Sequence, residues 1–364
     1  MRDMDDVEAV LHLPSQRGLS RRDLMRSAAI VGAGGSLAAL LAACQSGTTS
    51  AGGQGNFPSH PKWKFTFVNH VTTNPFFVPT QYGIQDASAL LGTDYQWTGS
   101  DKADVSAMVN AMNAAIAAKV DGIAVCIVDP TAFDEPTDRA LAAGIPVVSY
   151  NADRLPNSKN NRLAYIGQDL YGSGFAMGQK IVAAVGSGPV AGFIATPGQL
   201  NIQPRIDGAK AAIAQSGKPI TFTQIATGAA LNDELSAIEA YYLGHKDVKG
   251  MYAVDAGSTQ GTGQIMQKYT LASKGVHAGG YDLLPTTLQL ITSGDLDFTI
   301  DQQPYLQGFY PVVLLFLYKL SGGLSGPAEM NTGLLFVTKS TASPYLSTKT
   351  RFEGSDSAQK VVTK

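Results

Sequence analysis

The sequence predicts an α/β protein made of two lobes, each built on a parallel sheet covered by helices. From Lys62 onward, short β-rich runs alternate with longer helical ones, the pattern of βαβ units. The strand-like runs are apolar nearly throughout, as expected when helices cover both faces of a sheet. The alternation starts afresh near Arg162, so one sheet cannot hold it all.

In chain order, the first set has strands at 64–69, 94–97, 122–128 and 146–150, with helices at 76–91, 103–118 and 131–143. Val105, Met108, Val109, Met112, Ile116 and Val120 recur at helical spacing, which marks the core face of the second helix. Asp101 and Asp104 precede that helix as solvated and capping residues. The second set has strands at 164–167, 190–195, 220–225, 250–254, 276–280 and 297–300, with helices at 170–185, 204–215, 231–243, 258–271 and 285–293. A long helix at 305–320 is too short in its apolar run for a membrane span and suits packing on a sheet. A last strand falls at 334–338, and residues 341–364 read as a polar tail, either poorly ordered or loosely wrapped on the fold.

Residues 1–60 are addressing and tether. Ser20-Arg21-Arg22-Asp23-Leu24-Met25-Arg26 precedes an uncharged stretch that ends at Ala43, the layout of an export signal over residues 1–43. Its paired arginines resemble the twin-arginine class. Leu41-Ala42-Ala43-Cys44 resembles a lipobox, making Cys44 the lipidated residue of a lipoprotein, and residues 44–60 form a flexible tether. Gly32-Ala33-Gly34-Gly35 looks like the start of a dinucleotide fingerprint, but no strand precedes it and Leu37 stands where the third glycine belongs.

Composition narrows the function. The chain has 364 residues, 44% hydrophobic and 15% charged, and 27 basic against 29 acidic residues give a formal charge of −2. No basic field exists to hold a polyanion, so nucleic acid is excluded as a partner. Cys44 and Cys126 are the two cysteines; Cys126, inside an apolar run, reads as a small buried hydrophobe. The five histidines form no metal-ligand pair, and G-x-S-x-G, P-loop and dinucleotide motifs are missing, so neither catalysis, metal nor cofactor is expected.

In open α/β sheets, ligands bind at the carboxyl ends of strands. The polar residues just after expected strands are Asn74, Asn151, Asp153, Asp255, Asp282 and Gln302, with Gln203 in the loop after 190–195. Amides and carboxylates of this kind suit a polyhydroxylated neutral ligand. Phe76 and Phe77, with Trp97 beside them, supply flat apolar faces for its C–H side. The competing role for each Asp and Asn is a helix cap.

Asn74-Pro75-Phe76-Phe77, Asp121-Gly122-Ile123, Ala143-Gly144-Ile145-Pro146-Val147-Val148, the R-x-x-G pattern of Arg205 to Gly208, and Gly280-Tyr281-Asp282 occur in order and spacing that resemble the ribose-binding-like (type I) periplasmic substrate-binding proteins of ABC sugar importers. The resemblance implies two Rossmann-like lobes joined by three hinge crossovers, with the ligand cleft between them. It places one lobe at 61–167 plus 303–333 and the other at 168–302 plus 334–340. It also implies ligand roles for Asn74, Phe76, Phe77, Asp255, Asp282 and Gln302. The family's Asp-Arg pair is here Asn151-Ala152, and its second-lobe arginine matches Gln203, so the cleft is expected to lack a cation and to take a neutral monosaccharide or sugar alcohol rather than ribose itself. The expected protein is a monomer, lipid-anchored outside the cytoplasmic membrane, that delivers its ligand to an ABC permease. The alternative is the same module acting as sensor for a membrane receptor.

Overall fold

The computed structural model describes residues 57–324 and 326–348. The expected export signal, Cys44, most of the tether and residues 349–364 lie outside the described residues.

The first sheet is built from β1 (Lys64–Asn69), β2 (Asp94–Gly99), β3 (Gly122–Val125), β4 (Val147–Tyr150) and β5 (Tyr165–Gly167), with α1 (Val78–Leu91), α2 (Val105–Ala117) and α3 (Asp134–Ala142) in between. Then come α4 (Leu170–Val185), β6 (Gly188–Ile194), α5 (Gln203–Ser216), β7 (Ile220–Ala226), α6 (Leu231–Gly244), β8 (Gly250–Ala253), α7 (Ala256–Lys268), β9 (His277–Tyr281), α8 (Pro285–Ser293) and β10 (Phe298–Asp301). The chain closes with α9 (Pro304–Ser321), β11 (Glu329–Asn331), β12 (Leu335–Val337) and α10 (Ser343–Thr348).

Two six-stranded sheets result, in the orders β11-β5-β4-β3-β1-β2 and β12-β10-β9-β8-β6-β7. All pairings are parallel except β10 with β12. The strands that open the two sheets, β1 and β6, lie inside them, and the order on either side reverses there, which leaves a crevice at the carboxyl ends. Each sheet carries its own core: Phe65, Phe67, Met108, Met112 and Phe133 belong to the first, and Phe193, Met251, Ile291, Ile206 and Tyr252 to the second.

Local chemistry fixes the element ends. Asp104 accepts hydrogen bonds from the Ser106 and Ala107 amides and caps α2, and Asp169 caps α4. Glycines in left-handed conformation stop α1, α5, α8 and α9. Helix pairs flanking the sheets approach closely at glycines. A Cβ on Gly208 of α5 would overlap the Tyr171 carbonyl of α4, and one on Gly308 of α9 would overlap the Thr80 carbonyl of α1. The glycine of the R-x-x-G motif is therefore a packing requirement, and it seats the helix that carries Arg205.

Two expectations about the fold needed correction, and one strand was not expected. The strand expected at 122–128 ends at Val125: the Cys126 amide still donates to the Val68 carbonyl at 3.0 Å, but the Ile127 amide bonds to the Ala152 carbonyl and the Val128 carbonyl accepts from the Leu200 amide of the other lobe at 2.9 Å. β11 escaped notice because an edge strand reading Glu-Met-Asn carries no apolar run. The start of the expected polar tail is also ordered: Ala342 is fully buried and Tyr345 packs against the second core, drawing α10 onto it.

The chain passes from the first sheet to the second after β5, returns after β10 and crosses again between β11 and β12. Side chains stitch these crossings together. Gln168 Nε2 donates to the Gly333 carbonyl at 2.9 Å, and Thr332 Oγ1 donates to the Gln302 carbonyl at 2.7 Å.

Gly208→Ala is expected to lower stability by roughly 1–3 kcal/mol through overpacking between α4 and α5. Denaturant unfolding checks this, and an unchanged midpoint would show that the two helices can part at no cost.

Candidate functional site

At the carboxyl ends of the strands the two lobes meet around a small cavity of about 40 Å³. Its first-lobe wall begins where β1 ends. Asn69 holds the turn, its Oδ1 accepting from the Val71 amide at 2.9 Å while its Nδ2 donates to Tyr150 Oη at 3.0 Å. His70 follows directly and lines the cavity.

Asn74 accepts from the Phe76 amide at 2.9 Å, so it caps the single turn Pro75–Phe77 that displays both aromatic rings. Phe76 and Phe77 meet edge-to-face with centroids 4.7 Å apart. Together with Ala256 and Leu284 of the second lobe they form a small apolar cluster across the cleft.

The second-lobe wall carries the charge. Arg205 is 2% exposed. Its Nη1 donates to the Val254 carbonyl at 2.8 Å, its Nη2 to Gln168 Oε1 at 3.4 Å, and its guanidinium lies 4.1 Å from the centre of the Tyr281 ring. Its Nε is buried without a hydrogen-bond partner.

Asp255 ends β8. Its Oδ1 accepts from the Ser258 amide and its Oδ2 from the Ala195 amide, each at 2.9 Å, so it caps α7 as well as lining the cavity. Glu234 sits behind it, and burial, then the Asp255 charge, push the Glu234 carboxyl up to about 9. Asp282 takes a left-handed backbone, φ 76°, and accepts from Gln302 Nε2 at 2.8 Å. Burial raises its carboxyl to about 7, opposed by the Arg205 charge and the Gln302 hydrogen bond. His70 is pushed the other way, down to about 4, by burial and then by Arg205, so its ring is neutral.

A buried amide chain runs from the second-lobe wall through the crossings to the first lobe. Gln302 binds Asp282; Gln307 Nε2 donates to the Gln302 carbonyl at 3.0 Å; and Asn151 Nδ2 donates to Gln307 Oε1 at 3.0 Å. Asn151 also has a left-handed backbone, φ 62°. Non-glycine residues in that conformation concentrate where the surrounding structure holds a functional geometry.

Asn74, Phe76, Phe77, Asn151, Asp255, Asp282 and Gln302 thus come together around one cavity. Two candidates lie elsewhere. Asp153 is drawn away by Arg162, whose Nε and Nη2 bind its two oxygens at 2.9 and 2.5 Å. Gln203 faces the outer side of α5, accepting from the Gly198 amide at 2.9 Å and donating to Asp207 at 2.9 Å. Trp97 stands behind Phe77, with ring centroids 5.8 Å apart, rather than on the cavity.

The expectation of a cleft without a cation is also corrected, since Arg205, two residues beyond Gln203, supplies one. Its motif was visible in the sequence; only the choice of position was wrong. His70 and Asn201 were missed altogether, although His70 obeys the same strand-end rule that singled out Asn74. Arg205 shares the cavity with the carboxyls of Asp255 and Asp282.

Residues 65–322 match the family model described as periplasmic binding protein domain. A xylose/arabinose-binding protein, XylF, of Sulfolobus acidocaldarius is 49% identical over 385 aligned positions, covering 97% of this chain and 94% of that protein. Among solved structures, an ABC transporter solute-binding protein from Burkholderia graminis in complex with D-arabinose superposes with TM-score 0.72 at 25% identity, covering 78% of this chain and 98% of that one. A carbohydrate transporter structure from Acidothermus cellulolyticus in complex with myo-inositol gives TM-score 0.70 at 26% identity, covering 79% and 97%. With the two sheets, the crevice between them and these matches together, the chain belongs to the periplasmic binding protein family.

Proposed function

We propose that this protein is the solute-binding component of an ABC importer and that it captures a neutral monosaccharide, a pentose before a hexose or an alditol. The cavity carries this reading: an aromatic pair faces one side, while Asp282, Gln302, Asn151 and the unpaired Nε–H of Arg205 face the other. Apolar rings suit the C–H face of a sugar, and fixed donors and acceptors suit its hydroxyls. The 49% identical relative is named for xylose and arabinose, which supports pentose over larger rings. The family implies an exported, envelope-associated protein. We further read it as a monomeric lipoprotein anchored through Cys44 after an export signal with twin arginines, with no catalytic step of its own. Asn74, Phe76, Phe77, Asn151, Arg205, Asp255, Asp282 and Gln302 are the proposed contacts, and closure about the three crossings is the proposed motion.

Isothermal titration of the mature protein against D-xylose, L-arabinose, D-ribose, D-glucose, xylitol and myo-inositol tests the ligand class. One of the first two is expected to bind tightest and, at 100 times its dissociation constant, to stabilise the fold by about 2.7 kcal/mol. Silence across the pentoses would overturn the reading.

Asp282→Asn is expected to separate binding from stability. A carboxyl raised to about 7 in the folded state, against an ordinary 3.8, destabilises the fold once it must ionise. That penalty is absent below pH 3.8, grows between the two values and is full above pH 7. At pH 8 the ligand-free variant is therefore expected to melt higher than the native protein, with little difference at pH 4, while its sugar affinity falls roughly 10- to 100-fold. A variant that melts lower at pH 8 would show that the Asp282 charge is compensated in the empty cleft.

A further inference from the structure

One second-lobe segment, residues 196–202 between β6 and α5, reaches across the cleft at three points. Gln199 Nε2 donates to the Ala103 carbonyl at 3.0 Å, the Leu200 amide donates to the Val128 carbonyl at 2.9 Å, and Asn201 Nδ2 lies 3.1 Å from His70 Nε2. The first two satisfy backbone carbonyls outside the cavity. The third joins two side chains that both line it.

The tautomer follows from the partner. An amide NH₂ can only donate, so with a neutral ring His70 Nε2 accepts and its proton is on Nδ1. Nδ1 is buried with no hydrogen-bond partner, and so is Asn201 Oδ1. Each lobe therefore leaves one polar atom unsatisfied at the junction, a donor on the first and an acceptor on the second. Buried groups of this kind are costly unless a ligand or water completes them. A sugar meets both needs through separate hydroxyls, one accepting from Nδ1–H and another donating to Oδ1, since the two imidazole nitrogens point apart.

We propose that His70 and Asn201 form a cross-lobe reading pair: joined to each other in the closed cleft, each recognises its own ligand hydroxyl, so that closure and hydroxyl selection are one event. The inference rests on the sugar-binding reading above but adds two residues to it and a consequence for pH. Protonation of His70 removes the acceptor that Asn201 requires and sets a cation beside Arg205. The other titratable groups facing this region are Asp255 with Glu234 behind it, Asp282 on the opposite wall, and Cys126 and Tyr150, which reach His70 through Asn69. Asp282 and Glu234 owe their raised values to burial and to carboxylates of their own lobe, so they titrate alike in the native protein and a His70 variant. His70 has a lowered value, so closure over it weakens as pH falls from about 6.5 toward 4. The informative quantity is therefore the difference between the native protein and a His70 variant at each pH.

The test is titration of native protein, His70→Phe, His70→Gln and Asn201→Ala with D-xylose, L-arabinose and their monodeoxy analogues from pH 7.5 to 4, with melting curves to verify folding. Each variant is expected to lose roughly 10-fold or more in affinity at pH 7.5. One deoxy position that weakens binding to the native protein is expected to make little further difference in His70→Phe. Between pH 6.5 and 4 the native protein is expected to lose on the order of 10- to 100-fold in affinity relative to His70→Gln. A native protein that binds a pentose while all folded variants match it within twofold, with the same pH slope, overturns the reading pair and leaves the sugar site standing. A native protein silent to every pentose overturns both.

Discussion

A guanidinium cannot be buried between two lobes unless its charge and its N–H groups are provided for, and Arg205 shows how this fold meets that demand. Moving such a charge out of water costs several kcal/mol unless partners replace the solvent. The Val254 carbonyl and Gln168 take two of its donors, and the face of Tyr281 receives the cation. Those partners come from the end of β8, the first crossing and the end of β9, so the charge is held by three separate pieces of chain. Gly208, one turn further along α5, lets the helix lie close enough to α4 to put Arg205 there. Nε remains unpaired, and in the proposed complex the ligand completes the set.

The same demand for partners ties the wall to the crossings. Asp282 is fixed by Gln302, Gln302 by Gln307, and Gln307 by Asn151 and Thr332, all deep in the protein. A buried polar network has discrete satisfied arrangements rather than a continuous range. The proposed rotation of one lobe against the other would therefore exchange hydrogen bonds at Gln302 and Thr332, close to the side chains that would touch the ligand. In the proposed complex the ligand's grip on Asp282 and the setting of the crossings share one set of amides.

Much of this was legible in the sequence. The alternation of elements, the apolar strands and the strand-end polar residues come from short-range chemistry, and Leu170–Val185 and Pro285–Ser293 fall where periodicity and capping place them. What was not legible depends on partners far along the chain. Asp153 looks like Asn151 until Arg162 folds back onto it. Gln203 looks like a cleft residue until its place on the outer side of α5 is known. β11 is a strand only because β5 offers it an edge. His70 and Asn201 are 131 positions apart, and neither means much without the other.

The central claim is that one sugar is held between the aromatic turn at Phe76–Phe77 and the charged wall of Arg205 and Asp282. A crystal structure of the mature protein grown with its tightest-binding pentose tests this directly. The account predicts density for one sugar ring in that cavity, with Arg205 Nε and an Asp282 oxygen each within hydrogen-bond distance of it. A sugar bound elsewhere, or in the cavity with Arg205 and Asp282 still paired only with protein groups, would contradict it.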